Sequence, residues 1–173
     1  HGWEDVLATV RSRITLPLLR SYPTAVEATI AYFAADLETS TAASAAVIAD
    51  PDAMPLAVLW AAVPAAAAAN LQGRPADVAA AAARANEAAR HCASGPQQYA
   101  ISLSEVLCAL NQGRIDEAQR IVDRQRALTH GVPHAEAIVA AMSGRVELAA
   151  GRPAPACEWL QRALASMVST LSG

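Results

Sequence analysis

A short phrase ending in Gly-Arg recurs three times along the chain at nearly constant spacing. Its glycines are Gly73, Gly113 and Gly151, which lie 40 and then 38 residues apart, each between two Ala/Leu-rich stretches long enough to be helices. This period is typical of stacked helical hairpins, in which no repeat can bury its apolar face without its neighbours. The sequence therefore predicts an all-α fold built from antiparallel helix pairs, with about nine helices.

The residues after each glycine keep a common register. Positions 5, 8, 9 and 12 after the glycine lie on one face of a helix, and we call them the stripe. They are Val78, Ala81, Ala82 and Ala85; Ala118, Ile121, Val122 and Gln125; and Ala156, Trp159, Leu160 and Ala163. Only Gln125 breaks the apolar pattern. The register predicts that the second helix of each hairpin buries its stripe, with Trp159 in the core.

The start of the chain carries weaker repeat signals. We expect a first helix over 4–21, bent or ended by Pro17, and a second running to 35 from Thr24 as N-cap, with Glu27 completing a capping box. The segment 36–39 resembles a degenerate Gly-Arg turn leading to a third helix that ends at 48. The clearer pairs are predicted over 53–72 with 75–93, 97–112 with 115–130, and 134–150 with 153–170.

Two breaks separate the clear repeats, Gly95-Pro96 and Gly131-Val132-Pro133, and no Ser/Gly-rich linker divides the chain. We therefore expect a single helical-repeat domain over 1–173. Its first part, 1–50, consists of degenerate repeats, and its clearer repeats are 53–93, 97–130 and 134–170.

Composition limits both the fold and the partners. Ala accounts for 44 of the 173 residues, which favours helices over strands. The net charge of −3 argues against direct nucleic-acid binding, and the run 65–69 is too short to cross a membrane. Three widely spaced cysteines, Cys92, Cys108 and Cys157, are expected to be reduced thiols of a cytoplasmic protein.

The side chains that could carry chemistry do not form a catalytic or metal-binding pattern. His130 and His134 flank a Gly-Val-Pro turn, so they do not share a helix face as a metal pair at that spacing would. The charges over 114–126, with Asp116 and Arg120 as an i,i+4 pair, indicate a solvated helix face. There is no GxSxG elbow and no phosphate-binding loop. We expect no enzyme activity, no metal and no cofactor.

Five residues on the first helices of the repeats are candidates for contact with a partner. They are Trp60, Asn70, Tyr99, Asn111 and Arg145, which we call the candidate residues. Aromatic rings supply contact area, Asn supplies a donor and an acceptor, and Arg can hold a carboxylate. For Trp60 and Tyr99 a place in the core is the stronger interpretation, whereas for Asn70, Asn111 and Arg145 the groove and a structural role are equally open.

The phrases over 71–79, 84–89 and 110–118 resemble the helical repeats of large bacterial LuxR-type regulators, the MalT-like ATP-binding activators. The resemblance implies a tetratricopeptide-like superhelix whose concave surface is lined by the first helices. Of the glycines usual early in those helices only Gly144 is present, with Ala66 and Val106 at the matching places. In that family an ATPase precedes the repeats and a helix-turn-helix follows them, and neither is found in these residues.

Two functions of different classes follow from these observations. The resemblance implies a sensor module that binds a small-molecule or peptide effector, or a partner protein, on its concave face. The alternative is a protein-interaction or oligomerisation scaffold without a small ligand, with a homo-oligomer as one form of it. A deep pocket with convergent polar groups would favour the sensor, whereas a broad apolar patch would favour the scaffold.

Overall fold

The computed structural model describes residues 2–14, 16, 19–92 and 98–171. Within these residues it contains nine α-helices and no β-strand, which confirms the predicted all-α class. The helices are α1 (Trp3–Arg13), α2 (Tyr22–Phe33), α3 (Leu37–Ala49), α4 (Pro55–Leu71), α5 (Pro75–Cys92), α6 (Gln98–Asn111), α7 (Ile115–Leu128), α8 (Pro133–Ala149) and α9 (Pro153–Leu171).

The chain forms two compact units, His1–Ala93 and Ser94–Gly173. In the first unit, hairpin α2/α3 packs on hairpin α4/α5, and the first helices α2 and α4 also touch each other. In the second unit α6/α7 packs on α8/α9, and α6 likewise touches α8. The single domain and the superhelix that the sequence predicts concern the whole chain, and both stay predictions.

The three Gly-Arg turns have the same backbone geometry. Gly73, Gly113 and Gly151 have φ of 67°, 71° and 74°, the left-handed region that a residue without Cβ enters at little cost. The N–H of the following arginine donates in each case to the carbonyl five residues earlier, at 2.9 Å. This bond closes the helix as in a Schellman motif. The predicted equivalence of the three turns is confirmed.

A fourth turn of the same kind joins α2 to α3, and Ala35 takes the place of the glycine. Ala35 has φ 62°, and the N–H of Asp36 donates to the carbonyl of Ala31 at 2.9 Å. The prediction of a degenerate turn over 36–39 was therefore wrong in position, because Ala gives no sequence signal for a left-handed residue. Asp36 instead caps α3 by accepting a hydrogen bond from the N–H of Thr39, which lowers the pKa of the Asp36 carboxyl.

We expect Ala35→Gly to stabilise the protein and Gly113→Ala to destabilise it, each by about 1 kcal/mol. The left-handed conformation costs an L-residue more than the unfolded-chain entropy that a glycine adds. Apart from Gly113 and its two chain neighbours, no atom of the described residues lies within 4 Å of a Cβ placed on Gly113, so the backbone conformation sets the cost of the change. Urea unfolding measures both changes, and the same sign for both would contradict the equivalence of the turns.

The stripe is buried in every hairpin but the last. Counted from Ala35, the α3 stripe is Ser40, Ala43, Ser44 and Val47, and these are the four buried residues of that helix. The α5 and α7 stripes are buried as well. Gln125, the one polar residue of the α7 stripe, is buried like the other three and is 3% exposed.

The α9 stripe differs because of what packs on it. The α7 stripe lies in a cluster with residues of both α6 and α8, such as Val106 and Met142. In α9 the residue Leu160 contacts α8 at Gly144, where an added Cβ would lie 2.7 Å from Leu160 Cγ, yet it stays 43% exposed. Trp159 is half-buried, so its predicted place in the core was wrong.

The first two helices also differ from the predicted bounds. The first ends at Arg13 and not near 21, and Pro17 lies outside the described residues. The second begins at Tyr22, so Thr24 lies inside it and is not the N-cap. The physical reason is Pro23, whose fixed φ and missing N–H suit the first turn of a helix.

Two buried serines of the α3 stripe test how well the helices satisfy polar groups. Ser40 donates to the carbonyl of Ala28 at 2.9 Å, whereas the Ser44 hydroxyl makes no hydrogen bond to any residue that the structure describes. We expect Ser44→Ala to be more stable than Ser40→Ala by about 2 kcal/mol, because one change removes an unsatisfied hydroxyl and the other a bond. The gain in helix propensity is the same in both variants and cancels. Equal unfolding free energies would show that Ser44 is satisfied.

Candidate functional site

One side of the first helix is half-buried or exposed in three of the four hairpins, whereas in α2 it includes the fully buried Ala25. It comprises the positions 13, 10, 3 and 2 before the turn residue, which fall within an arc of about 100° on a helix, and we call it the open face. Its described members are half-buried or exposed in α4, α6 and α8. They are Trp60, Val63, Asn70 and Leu71; Leu103, Leu110 and Asn111; and Ile138, Ala141, Leu148 and Ala149.

Three of the candidate residues lie on this face, and a fourth lies in its centre. Trp60, Asn70 and Asn111 are members, and Arg145 lies six positions before its turn, inside the same arc. The residues equivalent to Arg145 are Ala67 in α4 and Leu107 in α6, and both are buried apolar side chains. The side chain of Tyr99 lies outside the described residues.

In the first unit, Trp60 is both a core neighbour and a surface residue. It is half-buried and packs on a cluster of small apolar side chains from α2, α3 and α4. Its packing agrees with the core interpretation, and the groove interpretation stays a prediction. Asn70 is half-buried near the end of α4, and its side-chain amide makes no hydrogen bond in the described part of the chain.

In the second unit, Arg145 is a half-buried cation in apolar surroundings along its helix. Its neighbours on the open face of α8 are Ile138, Ala141 and Leu148, none of which can pair with it. Among the described residues Arg145 has no ion pair or hydrogen bond, while the nearby Glu147 is bonded to Arg152. An arginine in this state can bind a carboxylate or phosphate without first breaking an internal pair.

The second unit also contains an arrangement that sequence reasoning missed. The guanidinium groups of Arg126 and Arg162 lie 4.6 and 4.4 Å from the ring centroid of Trp159, within cation–π distance. Arg126 is further held by Asp123 and by the hydroxyl of buried Ser143, at 3.1 and 3.2 Å. The contact between Trp159 and Arg162 could have been predicted from their i,i+3 spacing in α9. The contact between Trp159 and Arg126 joins α9 to α7 and has no such signal in the sequence.

Charged residues of α7 pair with one another on its exposed side. The ion pairs join Arg114 to Glu117 and Asp123 to Arg126, each at i,i+3. The predicted Asp116–Arg120 ion pair is wrong, because the Arg120 Nε donates to the backbone carbonyl of Asp116 at 3.3 Å. Exposed pairs of this kind contribute little to stability. The side of α7 that carries them is a solvated surface.

No group that could hold a metal ion occurs among the described residues. His130 Nδ1 lies 3.4 Å from a carboxylate oxygen of Glu136, and the side chain of His134 lies outside the described part. Burial raises the pKa of the Cys92 thiol, which favours the unreactive protonated form. Of the helices that the structure describes, none combines the length and the apolarity that crossing a membrane requires.

Comparisons of this chain with protein-family models, curated proteins and solved structures found no match.

Proposed function

We propose that this chain is a non-catalytic binding module of a bacterial transcriptional regulator of the LuxR type. In this proposal its hairpins form a tetratricopeptide-like superhelix, and the open faces of the first helices hold a small-molecule or peptide effector or a partner protein. Neighbouring ATPase and DNA-binding domains of a MalT-like protein would convert that binding into regulation. The module needs no metal or cofactor for this role.

The observation that carries the proposal is the recurrence of one turn geometry in four hairpins. Ala35, Gly73, Gly113 and Gly151 set the same register for every hairpin, and in α4, α6 and α8 the same described positions of the first helix are half-buried or exposed. Repetition of an open position is how repeat proteins build extended binding surfaces. Asn70, Asn111 and Arg145 place within these surfaces polar groups that make no hydrogen bond or ion pair in the described part of the protein.

A scaffold without a small ligand is the second candidate, and the exposed apolar edge of α9 favours it. Leu160 and Leu164 are 43% and 64% exposed and lie four residues apart, on adjacent turns of one helix. Neighbouring exposed leucines of this kind are typical of surfaces that another protein covers. In the scaffold proposal α9 is the surface through which copies of the chain, or other helical repeats, associate.

We expect Asn111→Ala and Arg145→Ala to change the free energy of unfolding by less than about 0.5 kcal/mol while weakening binding of the partner. Neither side chain makes a hydrogen bond or ion pair within the described part of the protein, so its removal leaves nothing unsatisfied. Thermal and urea unfolding test the stability half without knowledge of the partner. A loss above about 2 kcal/mol for either variant would mean a buried polar network.

Thermal shift of the purified chain against soluble metabolites and short peptides tests the binding half. A ligand of the open face should raise the Tm of the wild type and not that of the Asn111→Ala/Arg145→Ala double variant. Equal shifts in both proteins would place the binding elsewhere. The scaffold alternative predicts instead that the chain self-associates in sedimentation experiments and that Leu164→Glu abolishes the association.

A further inference from the structure

Two arginines and a tryptophan from two different helices meet in the second unit. The guanidinium groups of Arg126 in α7 and Arg162 in α9 lie 4.6 and 4.4 Å from the ring centroid of Trp159. Their Cζ atoms are therefore no further apart than the sum of these two distances. We call the three residues the Arg–Trp cluster. The preceding hairpins have smaller, buried residues at the stripe position of Trp159, namely Ala43, Ala81 and Ile121.

The guanidinium of Arg126 is held in place by side chains of three helices. Besides its contact with Trp159 of α9, its two terminal nitrogens donate to Asp123 Oδ1 at 3.1 Å and to Ser143 Oγ at 3.2 Å. Ser143 is itself buried in α8, where its hydroxyl donates to the carbonyl of Val139 at 2.9 Å. These bonds use two of the N–H groups of Arg126, and the others remain free to donate. A cation fixed in this way loses little conformational freedom when a ligand binds to it.

Arg162 carries a positive charge that no residue in the described part of the chain neutralises. Its side chain is exposed and makes no ion pair or hydrogen bond there. Glu158 lies four residues earlier, at the spacing of a helical ion pair, yet the guanidinium lies over the ring of Trp159 and not against this carboxylate. The cluster thus has two cations in contact with Trp159 and one carboxylate, that of Asp123, bound to them. The excess charge favours an anionic ligand.

The donors of the cluster fit a tetrahedral oxyanion. Both guanidinium groups can donate, and so can the indole N–H of Trp159, which has no acceptor among the residues described. A phosphate group carries three strong acceptor oxygens and up to two negative charges at neutral pH. A phosphate that accepts hydrogen bonds from two arginines lies about 4 Å from each Cζ, which suits two Cζ atoms that lie over one ring.

We infer that the Arg–Trp cluster is a binding site for a phosphate group, with Arg126 and Arg162 as the residues that contact its oxygens. The site lies on the second helices α7 and α9, whereas the open face lies on the first helices. The inference therefore goes beyond the proposed function and stands or falls without it. A phosphate bound there connects α7 to α9 through one arginine from each helix.

Titration of the purified chain with inorganic phosphate at neutral pH and constant ionic strength tests the site. The indole N–H signals in NMR report the location, and Trp159→Phe assigns the signal of Trp159. We expect that signal to shift saturably with a Kd of about 1 mM, as two charge-assisted hydrogen bonds would give, while the signals of Trp3 and Trp60 stay in place. A phosphate monoester and a capped phosphoserine peptide then distinguish the sources of the group. Tighter binding of the monoester identifies a small metabolite, and tighter binding of the peptide identifies a phosphorylated protein.

Arg162→Gln should raise the Kd for phosphate about tenfold or more without changing the Tm, because the side chain is exposed and makes no bond within the part described. Arg124→Gln is the matched control. Arg124 lies eleven positions after Gly113, as Arg162 does after Gly151, and it too is exposed and has no ion pair among the described residues. The control removes the same charge away from the ring of Trp159 and should leave the Kd unchanged.

An unmoved Trp159 signal, tighter binding of acetate than of phosphate, or an equal rise of the Kd in Arg162→Gln and Arg124→Gln would overturn the inference. The last result would mean attraction to net charge and not a site. The Asn111→Ala/Arg145→Ala double variant should bind phosphate as the wild type does, since its changes lie on the first helices. A raised Kd in that variant would place the phosphate at Arg145 and would refute the inference.

Discussion

Replacing Met142 with Ala is expected to lower the free energy of unfolding by about 2–5 kcal/mol. Met142 is fully buried and lies in the cluster that joins α6, α7 and α8, beside Val106, Val122 and Val146. The truncation removes the buried contacts of the thioether side chain and leaves a cavity that the three packed helices can close only in part. Urea unfolding of the protein, followed by circular dichroism, measures the loss of unfolding free energy.

The matched control for this change lies on the same helix. Leu148 is 61% exposed, so Leu148→Ala should cost less than about 0.5 kcal/mol. Met142→Leu, which nearly conserves volume, should cost less than about 1.5 kcal/mol. If the Met142 and Leu148 truncations were equally harmful, the inner and outer sides of α8 would be wrongly assigned.

The second large effect is expected from enlarging the small residue five positions after the turn glycine. Ala118→Leu and Ala156→Leu should each cost about 1–3 kcal/mol, because overpacking forces neighbours out of their preferred rotamers. Both alanines are buried, at 0% and 2% exposure. At Ala156 the helices are already so close that a Cβ on Gly144 would lie 3.1 Å from its carbonyl oxygen.

Exposed alanines provide the comparison for these two variants. Ala80 and Ala83 lie off the stripe in α5, and Ala127 lies off it in α7. Leucine at any of them should change the melting temperature only slightly. Equal losses of melting temperature for stripe and off-stripe alanines would show that the helix faces are misassigned, and the hairpin register would fall with them.

The hairpin register could be predicted from the sequence because the turn between the two helices requires a left-handed residue, and glycine is the residue that adopts this conformation most readily. Gly73, Gly113 and Gly151 mark left-handed turn residues, and the small side chains that follow at helical spacing mark the buried stripe. Both signals depend on residues within one hairpin. The nine helices of the described residues follow from the same local information, with errors at the end of α1, at the start of α2 and at the turn before α3.

The candidate residues could be placed on the correct helices for the same reason, but their surroundings could not be predicted. Which helices meet decides that Trp60 packs on a cluster that includes residues of α2 and α3, and that Arg145 finds no partner among the described residues. The contact of Arg126 with Trp159 likewise joins residues 33 positions apart in sequence. Long-range contacts of this kind leave no periodic trace in a single sequence.

What the sequence determined by itself is the repeating hairpin, because turn chemistry and apolar spacing are properties of neighbouring residues. What only the tertiary structure decided is how the exceptions are accommodated. Packing of α2 on α3 and α4 holds Ala35 in a left-handed conformation that Ala does not prefer. The same packing brings Tyr22 and Trp60, which belong to different hairpins, against one cluster of small apolar side chains, since side-by-side first helices are a consequence of stacking and not of either helix alone.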